Sequence, residues 1–339
     1  MEPEYDTGCM RGTWEGLALY TWTADQVDAR HLFDEWRSVR SKGLFGVTAE
    51  LEPEQHAHFK GEFTLQKLGN AGLIELRASP YSVTRSARDI AEAPSDSLCI
   101  YQQLSEGGSF DTRDGFEFTL RRGHLATSYS DLPYRTRPTG ADGFHLRIVK
   151  IPVTGLEPMR KGLHDLFPEP FDERSQLAPL LESCFADLIS GGESIEPQAA
   201  ATLIQTLAAL ALVERGVVRP GGGVARQALR VARLSFARRL IASQLSDPHL
   251  SPALIADQLG VSIRHVHALF EENAMSFSQT VTAMRLDESR KLLVQAPQSS
   301  IAKIAVACGF ESLATFYRVF RAAHGVAPGD FRETASREA

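Results

Sequence analysis

The chain has 339 residues, a formal net charge of −6 and an apolar share of 43%. That length asks for more than one domain, and the apolar share is enough to fill their cores, so disorder along the whole chain is excluded. Taken as a whole, the acidic balance argues against a protein that coats nucleic acid through bulk charge.

The first ten residues, MEPEYDTGCM, are acidic and lack an apolar run, so they do not read as a secretory signal. Residues 15–152 read as mainly β. Alternating or β-branched runs recur at Leu17–Trp22, Leu44–Leu51, Glu62–Leu68, Leu73–Arg77, Leu98–Leu104, Phe116–Leu120 and His145–Ile151. Turn signals separate them at Gly69-Asn70, Gly107-Gly108, Asp114-Gly115 and Asp142-Gly143. Strands this short and this numerous predict a sandwich or barrel. One early helix is expected at Ala24–Ser41, where Val27, Phe33 and Trp36 fall at roughly helical intervals.

Two polar groupings in this β region invite a chemical reading. His56 and His58, with Glu62 and then Gly69, match the first metal motif of cupins, and two imidazoles plus a carboxylate suit Fe, Mn or Ni. In the register set by Gly123, the third histidine's place is taken by Ala126, with His124 and His145 as the nearby substitutes. The stretch LEPEQHAHFKGE is also charged, as an exposed loop would be. The expectation is therefore no metal and no cofactor, with His56, His58 and Glu62 kept as the candidate set. The second grouping is basic: Arg113, Arg121, Arg122, Arg135, Arg137 and Arg147. On a strand Arg135 and Arg137 would share a face. Such a cluster suits an anionic effector, an aromatic acid or a phosphorylated second messenger, or it pairs with the acids of its own domain.

Residues 155–215 switch to helical spacing. Leu177, Leu180, Leu181, Cys184, Phe185, Leu188 and Ile189 form one stripe, and Pro197 opens a second helix carrying Leu203, Ile204, Leu207, Leu210 and Val213. That second helix is apolar around much of its circumference. Either a dimer interface through Leu181, Phe185, Leu188, Leu203, Leu207 and Leu210 or packing on the β region accounts for it. The apolar stretch 199–213 is too short to span a membrane. Residues 216–228, with four glycines and a proline, read as a flexible linker.

Charge divides at that linker. Residues 225–339 carry 14 Lys+Arg and 10 Asp+Glu, a net of +4, which leaves −10 on the rest. A basic segment behind an acidic one points to a polyanionic partner for the basic part. The basic part also repeats itself. Ile255-Ala-Asp-Gln-Leu-Gly260 aligns with Ile304-Ala-Val-Ala-Cys-Gly309; a capping serine follows each glycine, Ser262 or Ser312, and a phenylalanine stands eight residues after it, Phe270 or Phe320. Each copy is a helix, a glycine turn and a capped second helix, the pattern of helix-turn-helix. The linking helix expected at Phe277–Val294 is about 27 Å long at 1.5 Å per residue. It can hold two second helices about one DNA turn, about 34 Å, apart. Arg264, His265 and His267 on the first, and Thr315, Tyr317, Arg318 and Arg321 on the second, suit base and phosphate contact. Ser262, Ser312 and Lys303 stand near helix N-termini, where phosphates bind.

The pieces LSPALIADQLGVSIRHVHALF, MRLDESRKLL and IAKIAVACGFESLATFYRVFRAAHGVAPGDFR resemble the DNA-binding domain of AraC/XylS-type transcriptional regulators, over about residues 233–332. More weakly, through Arg85, the strand pattern and Gly123, the first half resembles the cupin-like ligand-binding domain of these regulators. The resemblance implies an α+β chain: an effector-binding domain at 1–154, a helical dimerisation segment at 155–215, a linker at 216–228 and a double helix-turn-helix domain at 229–335. It implies base reading by Arg264, His267 and Ala268, then by Leu313, Ala314, Tyr317 and Arg318. Ala268 and Leu313 stand where longer polar residues are common in the family, which leaves methyl contact or shape readout there. Phosphate contact is assigned to Ser262, His265, Lys303, Ser312, Thr315 and Arg321. Arg85, Arg135, Arg137 and Arg147 are the candidate effector residues. The expected partners are double-stranded DNA, RNA polymerase, a small-molecule effector and a second copy of the chain, in the cytoplasm and without catalysis. The rival reading is a cupin-type metalloenzyme or metal sensor joined to a DNA-binding module. The four cysteines, Cys9, Cys99, Cys184 and Cys308, form no CxxC pair and fit a reducing compartment, with Cys99 and Cys308 in core patterns.

Overall fold

The computed structural model describes residues 19–28, 30–112, 115–156, 159, 162–271 and 275–338. Cys9, Arg113, Asp114, the acidic first ten residues and the start of the strand expected at 17–22 lie outside the described residues. The chain divides into two compact units, 1–229 and 230–339.

The first unit carries the strands. They are β1 (Leu19–Thr23), β2 (Thr48–Glu50), β3 (Gly61–Leu68), β4 (Ala71–Ala78), β5 (Ser82–Arg85), β6 (Ser97–Gln103), β7 (Gly107–Thr112), β8 (Glu117–Arg121), β9 (Leu125–Tyr129), β10 (Tyr134–Pro138), β11 (Phe144–Pro152) and β12 (Glu169–Pro170). Seven form one sheet in the order β1-β3-β4-β11-β6-β9-β12, and five form another in the order β2-β5-β10-β7-β8. Every pairing is antiparallel. Both sheets feed one core: Phe63, Ile74, Leu76, Phe144 and Ile148 come from the larger, Ala49, Val83 and Phe110 from the smaller.

Two local expectations change here. The helix expected at 24–41 breaks into a 3-10 turn at Ala24–Gln26, a short α1 (Leu32–Trp36) and a π-helical turn at Arg37–Phe45. It breaks because Val27 adopts an extended conformation, φ −118° and ψ 143°. Gly107-Gly108 is the start of β7, not a turn. A Cβ on Gly107 would stand 2.6 Å from Thr139 Oγ1, so a close approach of neighbouring chain explains the glycine. Together with β7, the strands β5, β9 and β10 escape sequence periodicity, being short and rich in polar residues.

Between β5 and β6 lies α2 (Ala87–Glu92), opened by a Ser86–Asp89 capping box. After the sheets come α3 (Ala178–Gly191) and α4 (Pro197–Glu214), which pack on each other. The next helix, α5 (Gly223–Ser243), starts inside the stretch expected to be a linker and crosses the boundary between the units. After the last glycine of the run, Val-Ala-Arg-Gln-Ala-Leu contains no further breaker, so the helix propagates from Gly223.

The second unit is helical: α6 (Pro252–Leu259), α7 (Ile263–Glu271), α8 (Phe277–Gln295), α9 (Ile301–Ala307), α10 (Leu313–His324) and α11 (Pro328–Glu338). Serines cap five of these starts. Ser251, Ser262, Ser276, Ser300 and Ser312 each accept a hydrogen bond from the backbone N–H three residues on. The unit has two cores. Ile255, Val266, Phe270, Phe277 and Val281 belong to one, and Leu286, Leu293, Ile304, Phe316 and Phe320 to the other. Helix α8 supplies residues to both, and its 19 residues make a rod of about 28 Å.

Candidate functional site

The two helix-turn-helix copies are alike down to single hydrogen bonds. Gly260 and Gly309 both have left-handed backbones, φ +63° and +81°. Just past each, Val261 N–H donates to the Ala256 carbonyl and Phe310 N–H to the Ala305 carbonyl, both at 3.0 Å. This is the bond that closes a helix over a left-handed residue. Ala256 and Ala305 are buried, which lets α6 approach α7 and α9 approach α10.

The second helices show two faces each. On α7, Val266, Leu269 and Phe270 are buried while Arg264 and His267 are exposed. On α10, Phe316 and Phe320 are buried while Leu313, Ala314, Tyr317, Arg318 and Arg321 are exposed. Ala268 is half-buried at the edge of the first face. Ser262, Ser312, Thr315 and Lys303 are exposed at helix starts, where N–H groups and the helix dipole favour a phosphate. Both capping hydroxyls accept from the backbone and keep their own proton to donate outward.

His265 differs from its expected role. Its Nε2 is shielded from solvent and has no hydrogen-bond partner among the described residues. Position 265 lies one turn before buried Leu269, so the ring turns toward the core side of α7. Ile263, which the sequence reading passed over, is 48% exposed at the first residue of α7, as Leu313 is 44% exposed at the first residue of α10. The alignment of the repeats already sets these two opposite each other. Elsewhere the matched positions differ: Arg264 stands opposite Ala314, His267 opposite Tyr317 and Ala268 opposite Arg318.

In the first unit the four candidate effector arginines do not converge. Arg135 and Arg137 alternate with inward-facing Tyr134 and Thr136 on β10 and are exposed. On β11, Arg147 lies on the face opposite Phe144, Ile148 and Lys150 and donates to Glu75 at 2.8 Å; His145 pairs with the same carboxylate at 3.1 Å. Arg85 is buried, but the fold occupies its guanidinium. It donates to the carbonyls of Gly46, Ala93 and Ser130 and pairs with Asp131 at 2.6 Å.

The candidate metal residues also part. Pro53 opens a 3-10 turn over Pro53–His58, so His56 and His58 stand before β3 rather than on a strand face. His56 Nε2 donates to the Leu51 carbonyl, and its ring packs on Phe33. Glu62 is on β3, while His124 pairs with Glu173 and His145 with Glu75. Among the described residues no three such side chains gather as a metal site.

The expected dimer residues change as well. Leu181, Phe185, Leu188, Leu207 and Leu210 are fully buried within the single chain, and only Leu203 is half-exposed. Packing of α3, α4 and the rest of the chain already covers that apolar surface.

What the sequence reading missed is a cavity between the two sheets. Its walls include Tyr101, Ile148 and Lys150 from the larger sheet, Phe110 and Tyr134 from the smaller, and Arg40 from the π-helical turn. The cue for Lys150 was the alternation Phe144, Leu146, Ile148, Lys150, which places a lysine in an inward register. The cue for Arg40 was its spacing of four from Trp36.

Residues 255–334 match the family model described as a helix-turn-helix domain. The chain is 24% identical over 310 residues to the transcriptional activator NphR of a Rhodococcus species, covering 89% of each chain. It is 32% identical over 85 residues to the HTH-type transcriptional regulator GadX of Escherichia coli K12, covering 25% of this chain and 31% of that one. Among solved structures, the AraC-like transcriptional activator CuxR superposes with a TM-score of 0.51 at 19% identity, covering 85% of this chain and 99% of that one, and so shares the fold. No helix among the described residues is long and apolar enough to cross a membrane.

Proposed function

We propose that the chain is a DNA-binding transcription regulator of the AraC type, an activator whose two second helices, α7 and α10, read successive major grooves. The observation that carries this reading is the matched exposure of the two helices. Arg264 and His267 project from one and Leu313, Tyr317 and Arg318 from the other, each opposite a buried apolar face. Arginine pairs with guanine, and the apolar Ile263, Ala268, Leu313 and Ala314 contact thymine methyls. Lys303, Ser262, Ser312, Thr315 and Arg321 meet phosphates and fix the register. Because Arg264 faces Ala314 and Ala268 faces Arg318 in the alignment, the two half-sites differ in sequence.

The first unit binds a small-molecule effector, the chain pairs as a homodimer on DNA, and bound protein contacts RNA polymerase beside the site in the cytoplasm. The dimer uses surface other than the buried leucines of α3 and α4. The named relatives are regulators, which supports a chain without catalytic activity of its own.

Selection of bound sequences from a random DNA pool tests the reading. It expects two unlike half-sites centred about one helical turn apart. Loss of one half-site in Arg264→Ala/His267→Ala, and of the other in Tyr317→Ala/Arg318→Ala, assigns each to its helix. Recovery of unenriched sequence by the full chain would sink it.

A further inference from the structure

The cavity between the sheets holds an imbalance of charge. Among the described residues that line it there is no Asp or Glu, yet Arg40, Arg85 and Lys150 all do. Asp131 answers Arg85 at 2.6 Å. Arg40 is 5% exposed, and its Nε and Nη1 have no hydrogen-bond partner among the described residues. Lys150 is 6% exposed, and its Nζ donates to the Leu44 carbonyl at 2.9 Å. Both cations flank one ring: the Arg40 guanidinium carbon is 5.0 Å from the Phe45 centroid, and Lys150 Nζ is 5.7 Å from it. Aromatic contact offsets only part of the cost of burying such charges.

The remaining walls are mostly aromatic and apolar, with the hydroxyls of Ser95, Ser128, Ser130 and Thr136 among them. Tyr101 and Phe110 stack at 5.8 Å, with Tyr134 and Phe144 alongside. The cavity volume is about 60 Å³, against about 10–15 Å³ for one water. That suits a compact ligand of about one ring rather than a dinucleotide.

From this we infer that the cavity is a site for a small aromatic carboxylate, its carboxylate held by the Arg40 guanidinium with Lys150 beside it and its ring among Phe45, Tyr101 and Phe110. A guanidinium fork meets a carboxylate with two parallel hydrogen bonds. Burial already lowers the Lys150 ammonium below the usual lysine range, and an arriving anion favours its charged form. The proposal names the ligand class for the effector reading above and rests on that reading only for its consequence at DNA.

The test is calorimetric titration and thermal unfolding of the full chain with benzoate and phenylacetate, each beside its neutral amide. The expected result is saturable binding of an acid with a rise in Tm, and at least tenfold weaker binding of its amide. Arg40→Met and Lys150→Met should each weaken acid binding at least tenfold, Arg40→Lys less, and exposed Arg135→Ala not at all. Arg40→Met should unfold at no lower temperature than the parent without ligand, because it removes a buried charge whose Nε and Nη1 have no hydrogen-bond partner among the described residues. Equal binding of acid and amide, an unaltered Arg40→Met, or no binding of either acid at millimolar concentration would overturn the proposal. DNA affinity measured with and without the acid is a separate readout. Acid that binds through Arg40 but leaves DNA binding and transcription unchanged upholds the site and sinks effector control.

Discussion

A side chain at Gly309 would run into Arg285: the position of its Cβ lies 2.9 Å from Arg285 Nη2 and in collision with the Leu245 carbonyl. Arg285, on the linking helix α8, donates to the carbonyls of Leu245 and Asp247 at 3.1 and 2.7 Å and lies 6.0 Å from the centroid of Phe310. It thereby ties the segment after α5 to the turn of the second helix-turn-helix. The equivalent turn at Gly260 has nothing within 4 Å of a Cβ.

The two glycines therefore separate conformational strain from collision. Gly260→Ala should cost about 1–2 kcal/mol, the penalty of a left-handed non-glycine residue. Gly309→Ala should cost about 1–3 kcal/mol more, as an overpacked site does. Urea unfolding of the two variants measures the difference, and equal losses would mean that Arg285 yields freely.

Arg85 and Asp131 form a buried pair, with side chains 1% and 10% exposed. Asp131 also accepts from the N–H groups of Ser95 and Asp96. Asp131→Ala should destabilise the first unit by about 3–5 kcal/mol, because it strands the arginine's charge. Arg135→Ala, on the exposed face of the adjoining strand, should stay within about 0.5 kcal/mol. Chemical denaturation followed through the tryptophans of the first unit checks both.

Base and phosphate contacts have different signatures. Arg318→Ala should lose about 1–3 kcal/mol on its cognate site and relax preference at one base pair. Lys303→Ala should weaken all sequences alike and reduce the salt slope by about one. Binding titrations at several salt concentrations on matched and single-mismatch duplexes resolve the two.

Burial pushes the thiols of both Cys99 and Cys308 up to about 11, and the thiolate is the reactive form. At pH 8 the folded chain should leave both unmodified by iodoacetamide, while urea exposes them to full alkylation. Mass spectrometry of the peptides reads the outcome. Rapid labelling of Cys99 in the native state would contradict its burial against the cavity.

The second unit was legible in the sequence because its information is local. A glycine turn, a capping serine and a buried phenylalanine recur at fixed spacing, and helical periodicity alone assigns Arg264, Tyr317 and Arg318 to the side away from Phe270, Phe316 and Phe320. His265, on the border between the two faces, is half-buried with its Nε2 shielded from solvent.

In the first unit, strand alternation tells that Arg135 and Arg137 share a face, and likewise Ile148 and Lys150, but not which face is the inner one. That choice depends on which strands pair and on what lies across the core, and β5, β7, β9 and β10 left too faint a pattern to show it. The same holds for the leucines of α3 and α4, whose apolar character fits a partner chain as well as it fits burial at home. The sequence by itself determined a paired helix-turn-helix reader behind a β domain. Only the tertiary structure decided which cations face inward, because charge inside a cavity is set by contacts between residues as distant in the chain as Arg40 and Lys150.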